Sequence, residues 1–197
     1  TVAYRVAPGI IIGAGLQVQY IDAQLRAAVG AAAGPTGAVK GDDTAIGFTA
    51  GILVTPAAGT SIGLGYRSNI DHELEGTFHI SGGAAKNRIS ADVNLPEIVT
   101  LSLRQDLMPN WTLLGSVEWT NWSRFEELRI TTPAGAVVGV TPEDWKDSWY
   151  YSLGAEYAYS DALKLRGGVA YEKSPVPDST RNVTIPDNDR FWLSVGA

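Results

Sequence analysis

The chain of 197 residues has no cysteine, only two histidines and a single methionine. Without cysteine there is neither a disulfide framework nor a thiolate metal site. Charge is sparse and leans acidic, with 15 Lys and Arg against 21 Asp and Glu, a net of -6 and a pI near 4.9. No basic stripe is present, so nucleic acid is not expected as a partner. Long hydrophobic runs are also missing. A membrane-crossing helix needs about 20 consecutive apolar residues, and no segment supplies them. Residues Thr1-Val2-Ala3-Tyr4-Arg5 already read as strand rather than as a secretion signal, so the chain is expected to be either a mature form or part of something longer.

What fills the sequence instead is alternation. Over 62–80 one parity carries Ile62, Leu64, Tyr66, Ser68, Ile70, His72, Leu74, Gly76 and Phe78, while the other carries Gly63, Gly65, Arg67, Asn69, Asp71, Glu73, Glu75, Thr77 and His79. Successive side chains of a strand point to opposite faces, so this pattern predicts one long strand with an oily face and a charged face. Similar rows recur at Ile10, Ile12, Leu16, Val18 and Tyr20; at Ile46, Phe48, Ile52 and Val54; and at Val99, Leu101 and Leu103. They continue at Trp111, Leu113, Val117 and Trp119; at Trp149, Tyr151, Leu153 and Tyr157; at Leu163, Leu165, Val169 and Tyr171; and at Phe191, Leu193 and Val195. With a short strand near Thr1 to Val6, about nine strands are predicted. A mean hydropathy of -0.01 fits a barrel whose alternate residues alone meet lipid.

The connections separate a membrane barrel from a soluble sandwich. Tight turns at 7–9, 56–59, 106–110 and 160–162 alternate with long links at 22–43, 76–91, 126–147 and 173–189, the arrangement of outer-membrane barrels, with short turns on the periplasmic rim and long loops outside. Tyr20, Tyr66, Trp111, Trp119, Trp149, Tyr151, Tyr157, Tyr159 and Tyr171 fall on the outward parity, as interfacial girdles do. Packing of these rings in a sandwich core is the competing reading. The predicted fold is all-β, an antiparallel up-and-down transmembrane β-barrel in one domain over 1–197.

Several stretches are more specific than alternation. Arg67 follows Tyr66; Leu95-Pro96-Glu97 opens a strand; 119–125 reads WTNWSRF. Ser174-Pro175-Val176-Pro177 precedes Ile185-Pro186-Asp187-Asn188-Asp189-Arg190-Phe191-Trp192. In this order they resemble the FadL/TodX family of outer-membrane transporters for long-chain fatty acids and other hydrophobic compounds. The resemblance implies a 14-stranded barrel plugged by an N-terminal hatch, a hydrophobic or fatty-acid ligand, loops that capture it, and a kinked wall strand through which it leaves sideways. It further implies a bacterial outer-membrane location, surrounding lipid as partner and a monomer. The 197 residues match the middle and later part of such a protein, without its hatch, first strands or last strands.

Candidate ligand-binding residues are Arg26, Arg67, Trp122 and Trp192. Basic groups at the loop-barrel junction hold acidic ligands in the family; Arg26 falls within a residue of one such place, whereas Thr141 stands where a family member carries Lys. That departure leaves room for a neutral hydrophobe. The loop at 26–43 is rich in Ala and Gly and that at 79–91 is short and polar, which implies a reduced outer capture groove. Arg67, Glu73, Glu75, Arg104, Glu118, Glu156, Lys164, Arg166 and Glu172 fall on lumen parity and are expected to pair across strands or to bind water; a subset facing the ligand is the other reading. Trp122 and Trp192 line an apolar pocket or fill the barrel.

Other motifs carry little. Asp187-Asn188-Asp189 lacks a full oxygen-ligand loop for calcium and reads as a turn beside Arg190. His72 falls on the outward parity, and no base stands near a serine nucleophile, so no enzyme, metal or cofactor is expected. Asn182-Val183-Thr184 matches a glycosylation acceptor of no meaning in a bacterial outer membrane. The function expected is passive uptake of hydrophobic molecules, with a general diffusion porin, a structural barrel or a soluble lipid-binding barrel as alternatives.

Overall fold

A computed structural model describes residues 1–28, 36–80, 86–181 and 186–197. Ile185 and the acceptor triplet at 182–184 lie outside these, as do 29–35 and 81–85 of the two loops. Thirteen strand segments form one antiparallel sheet: β1 (Val2–Ala7), β2 (Ile10–Ala28), β3 (Thr36–Ala57), β4 (Thr60–Arg67), β5 (Ile70–Ile80), β6 (Lys86–Leu95), β7 (Ile98–Met108), β8 (Trp111–Thr120), β9 (Glu127–Thr131), β10 (Val137–Pro142), β11 (Ser148–Ser160), β12 (Leu163–Glu172) and β13 (Arg190–Gly196). A 3-10 turn at Trp122–Arg124 follows β8.

The count of thirteen reduces to the nine passages expected once two breaks are recognised and the β9–β10 hairpin of one connection is set aside. β4 and β5 both lie along the same side of β3, β4 on its lower part and β5 on its upper part. β6 and β7 likewise continue one another beside them. β9 and β10 form a hairpin within the predicted link 126–147. Strand structure also reaches into two of the other predicted links, 22–43 and 76–91, with β2 running to Ala28, β3 beginning at Thr36, β5 ending at Ile80 and β6 beginning at Lys86. The four tight turns share one rim and the long connections the other. Gly9 and Gly59 take φ of +77° and +81° in two of those turns, a conformation open to glycine at little steric cost.

The long strand predicted over 62–80 is corrected here. Thr49 of β3 opposes Arg67, and Asp42 opposes Glu75, so seven steps along β3 are matched by eight along the neighbour. One extra residue exchanges the faces of everything beyond it. Below the break Ile62, Leu64 and Tyr66 share the apolar outer face with Val54, Ile52 and Ala50. Above it Ile70, His72 and Leu74 share the inner face and are buried, at 3%, 2% and 8% exposure. His72 therefore faces inward, not outward, and Glu73 and Glu75 face outward, not into the lumen. The partner turns over with it, because Ile98 opposes Arg67 and Leu95 opposes Ile70; Pro96, which has no N–H to give to a ladder, occupies that second break.

Below the breaks the outer face is apolar and bare. Leu16, Leu153 and Leu193 are 75%, 54% and 77% exposed, an apolar surface far beyond what water tolerates on a monomer. The inner face is polar: Ser102 and Ser116 meet at 3.0 Å, Thr100 donates to Glu118 at 2.8 Å, and Glu156 accepts from Lys164 and Arg166 at 2.9 and 2.7 Å. β1 and β13, at opposite ends of the wall, are not paired with one another among the described residues.

Candidate ligand site at the outer mouth

Above the breaks the polarity is reversed, and this makes the site. The face flip turns Leu74, Gly76, Ile89, Ala91 and Val93 inward beside Ala23, Val39 and Gly41 of the longer hairpin. Phe125, Leu128 and Ile130 close over them, leaving a cavity of about 160 Å³. β9 is set in place by the pairs Ser90–Thr131 and Ala91–Ile130, with the two hydroxyls of the first pair 3.0 Å apart.

A small core supports the cavity from the side. Phe125, Trp145 and Val176 are buried together, with Val93, Trp122 and Leu128 packed against them. The Trp145 ring stands 5.0 Å from both the Trp122 and Phe125 rings, edge-on to each, and its Nε1 donates to Glu143 at 3.0 Å. Trp122 thus belongs to this wall, on a 3-10 turn fixed by Asp147, which accepts from Trp119 Nε1 at 2.9 Å and from the Ser123 N–H at 3.2 Å.

The two specific sequence stretches serve the same core. Val176 of the first is buried, and Pro175 accepts the Lys146 N–H at 2.8 Å. Ser174 is held by both aspartates of the second stretch: its hydroxyl donates to Asp187 at 2.8 Å and its N–H to Asp189 at 2.9 Å. Arg190 pairs with Asp187 and, at 3.1 Å, with Glu172. Leu95-Pro96-Glu97 marks the second break, where Glu97 accepts from Asn121 at 2.7 Å. Among the described residues no cluster of His, Asp and Glu is arranged to hold a metal ion.

Asp189 also accepts from the Tyr171 hydroxyl at 2.5 Å. That bond, with the Ser174 N–H, lowers its carboxyl below the ordinary 3.8. A lowered folded value means that the anchoring is complete above pH 3.8 and is lost as pH falls through the lowered value. Amide exchange in 173–181 is therefore expected to be unchanged between pH 7 and 5 after correction for its intrinsic pH dependence, and to accelerate only below about pH 4. In Asp189→Asn the same segment is expected to exchange fast at pH 7.

The four predicted ligand residues are dispersed. Arg67 is on the inner face immediately below the break, beside Thr49, Thr100 and Glu118 in a polar recess. Trp192 is also on the inner face, opposite Ala170, and lines a separate recess with Tyr150 and Arg166. Arg26 opposes Ala38 on the outer face of the β2–β3 hairpin, away from the cavity lining. Sequence reasoning missed Phe125, Leu128, Ile130 and the inward row of β5. Phe125 just before the link 126–147, and Trp145 between the charged residues near its end, were the signal available.

The residue roles can be placed against known proteins. The exposed apolar wall, polar inner row and segregated rims define a bacterial outer-membrane β-barrel. The profile of the family described as "Outer membrane protein transport protein (OMPP1/FadL/TodX)" matches residues 1–197, and the chain belongs to that family. It is 33% identical over 175 residues to the long-chain fatty acid transport protein of Escherichia coli, covering 80% of this chain and 39% of that protein. To outer membrane protein P1 of Haemophilus influenzae it is 26% identical, over 99% of this chain and 50% of the other. Among solved structures, a Pseudomonas aeruginosa FadL homologue superposes with a TM-score of 0.85 at 23% identity, over 98% of this chain and 52% of that one. The Ralstonia pickettii toluene transporter TbuX gives 0.70 at 17% identity, over 87% and 53%. The chain spans two fifths to one half of the length of these curated relatives.

Proposed function

We propose that this chain forms wall and outer mouth of a passive, non-enzymatic uptake route for hydrophobic molecules, working as a monomer in outer-membrane lipid. The observation that carries the reading is the inward apolar cavity at the rim of long connections, placed above a lumen lined with polar groups. A molecule arriving from outside meets oil on the inner side of the wall before it meets the polar row. Burial alone supplies affinity, at about 0.8 kcal/mol per CH₂, so a charged partner is not required. The names borne by the Escherichia coli and Ralstonia pickettii relatives, a fatty acid transporter and a toluene transporter, support the same class. For an acidic ligand, Arg67 is the inward base we propose as head-group partner, with Trp192 as a lumen contact and Trp122 as support for the cavity; Arg26 would act at the outer surface.

Quenching of tryptophan fluorescence in the detergent-solubilised protein carrying this chain tests the proposal, with a long-chain fatty acid compared with its methyl ester. Saturable binding of both is expected if burial dominates. Binding of the acid alone, lost in Arg67→Gln, would assign the carboxylate to Arg67. Saturation by neither, together with open-channel conductance in planar bilayers, would move the reading to a diffusion porin.

A further inference from the structure

The cavity under β9 is a hole in a packed layer rather than a dent in the surface. Leu74, Ile89, Ala91 and Phe125 border it and are themselves buried, at 6% to 9% exposure. Native interiors leave few voids wider than a water molecule, so one of about 160 Å³ needs a cause in the sequence. The pairing supplies it. Along one row of the inner face Ala23 opposes Gly41, and Gly41 opposes Gly76. Along the next row Ala91 stands between Leu74 and Ile130. Small residues thus lie where larger ones would meet the roof formed by Phe125, Leu128 and Ile130. The close approach of β5 to β3 imposes the two glycines: a Cβ on Gly76 would strike the Lys40 carbonyl oxygen, and one on Gly41 would come within 3.2 Å of the Glu75 carbonyl oxygen. Ala23 and Ala91 are different, because each already carries a Cβ at the border of the empty space and a longer side chain at either would extend into it.

Among the described residues that border the cavity only Lys40 carries a charge, and its Nζ turns to Asp22, 3.4 Å away on the outer face. A cavity of about 150 Å³ lined by leucine, isoleucine and phenylalanine stays dry and takes up a single benzene ring. We infer that Ala23 and Ala91 set a bulk limit on the ligand: they hold open a dry site for one compact, uncharged hydrocarbon group, a single six-membered ring or branched alkyl of that bulk, and exclude two linked rings. The site reads bulk and not aromaticity, since a saturated ring of the same size buries the same apolar surface. A long acyl chain lodges only its end there and leaves its carboxylate outside. The inference rests on the uptake reading above and narrows it to a size limit at the mouth.

The test uses the protein carrying this chain in detergent, titrated calorimetrically with toluene, methylcyclohexane and biphenyl, each run also against protein-free micelles. Toluene and methylcyclohexane are expected to saturate with similar affinity, and biphenyl to bind about tenfold more weakly, the cost of forcing extra bulk into a packed interior. Ala91→Leu and Ala23→Leu fill the space and abolish saturable binding of toluene. Ile89→Ala enlarges it and brings biphenyl to the affinity of toluene, a gain that damage to the fold cannot imitate. In the unsubstituted protein the methyl resonances of Leu74, Ile89 and Ile130 shift by ring current on adding toluene, and in Ala91→Leu those of Leu74 and Ile130 do not. Biphenyl binding as tightly as toluene to the unsubstituted protein would overturn the inference and leave the uptake reading standing. So would toluene binding unchanged in both leucine variants, toluene saturating with unmoved methyl resonances, or an Ile89→Ala protein that still binds toluene and gains nothing for biphenyl. Saturation by none of the three would also overturn it, and the uptake reading falls with it only if the fatty-acid methyl ester fails to bind as well.

Discussion

Trp145→Ala is expected to cost about 3–5 kcal/mol of stability, confined to the part of the molecule above the breaks. Trp145 is 8% exposed and, from the segment before β11, is the piece on which two other connections converge: Trp122 and Phe125 from the segment after β8, and Val176 from the segment after β12. Its removal leaves a void that these loop-borne side chains cannot all move to fill, and it leaves the buried Glu143 Oε2 without its donor as well. Because Phe125 also closes the cavity, ligand binding is expected to fall with the local structure. Hydrogen exchange should then speed in 122–131 and 174–181 while β7, β8, β11 and β12 keep their protection below the breaks. Trp145→Phe, which keeps a ring but loses the bond to Glu143, should cost about 1–2 kcal/mol. Uniform loss of protection throughout the sheet would show instead that the two levels unfold as one.

Gly76→Val is expected to have the other large effect. A Cβ on Gly76 would coincide with the Lys40 carbonyl oxygen and would sit 2.7 Å from the Gly41 Cα; both are backbone atoms of β3 and neither can rotate away. Strands that approach this closely tolerate only glycine, so the β3–β5 pairing has to open, at a cost of roughly 4 kcal/mol or more. Gly63 in β4 gives the control: its Cβ would meet only Leu53 Cδ1, at 3.8 Å, and Gly63→Ala should remain within about 0.5 kcal/mol of the parent. Amide exchange at 37–42 and 76–80, with calorimetric titration of the cavity, reads both. Unchanged protection in Gly76→Val would show that β5 is not held against β3 in solution.

The wall below the breaks was legible because its rule is local. Period two at Leu101 and Leu103, or at Trp149, Tyr151 and Leu153, places each residue correctly without knowing its neighbours, and the turns at Gly9 and Gly59 carry their own chemistry. The reversal above the breaks was not legible from 62–80, since Ile70, His72 and Leu74 continue the same parity as Ile62, Leu64 and Tyr66. The extra residue exists only relative to β3, as a count of seven against eight, and a single strand cannot register it. Two letters hinted at it: Ser68, a polar residue in an apolar row, and Pro96, a residue without an N–H in the strand that pairs alongside. The candidate site suffered for the same reason. Arg67 and Trp192 lie below the reversal or on β13 and face inward as expected, whereas His72, Glu73 and Glu75 lie beyond it and were assigned to the wrong sides.

That reversal has a thermodynamic meaning for any apolar solute touching this wall. Below Ser68 and Asn69 the low-energy surface for hydrocarbon is the outside; above them it is the inside, between Leu74, Ile89 and Phe125. The two free-energy minima lie on opposite sides of one continuous sheet. A solute that never leaves oil has to cross from one side to the other at the height where β4 gives way to β5.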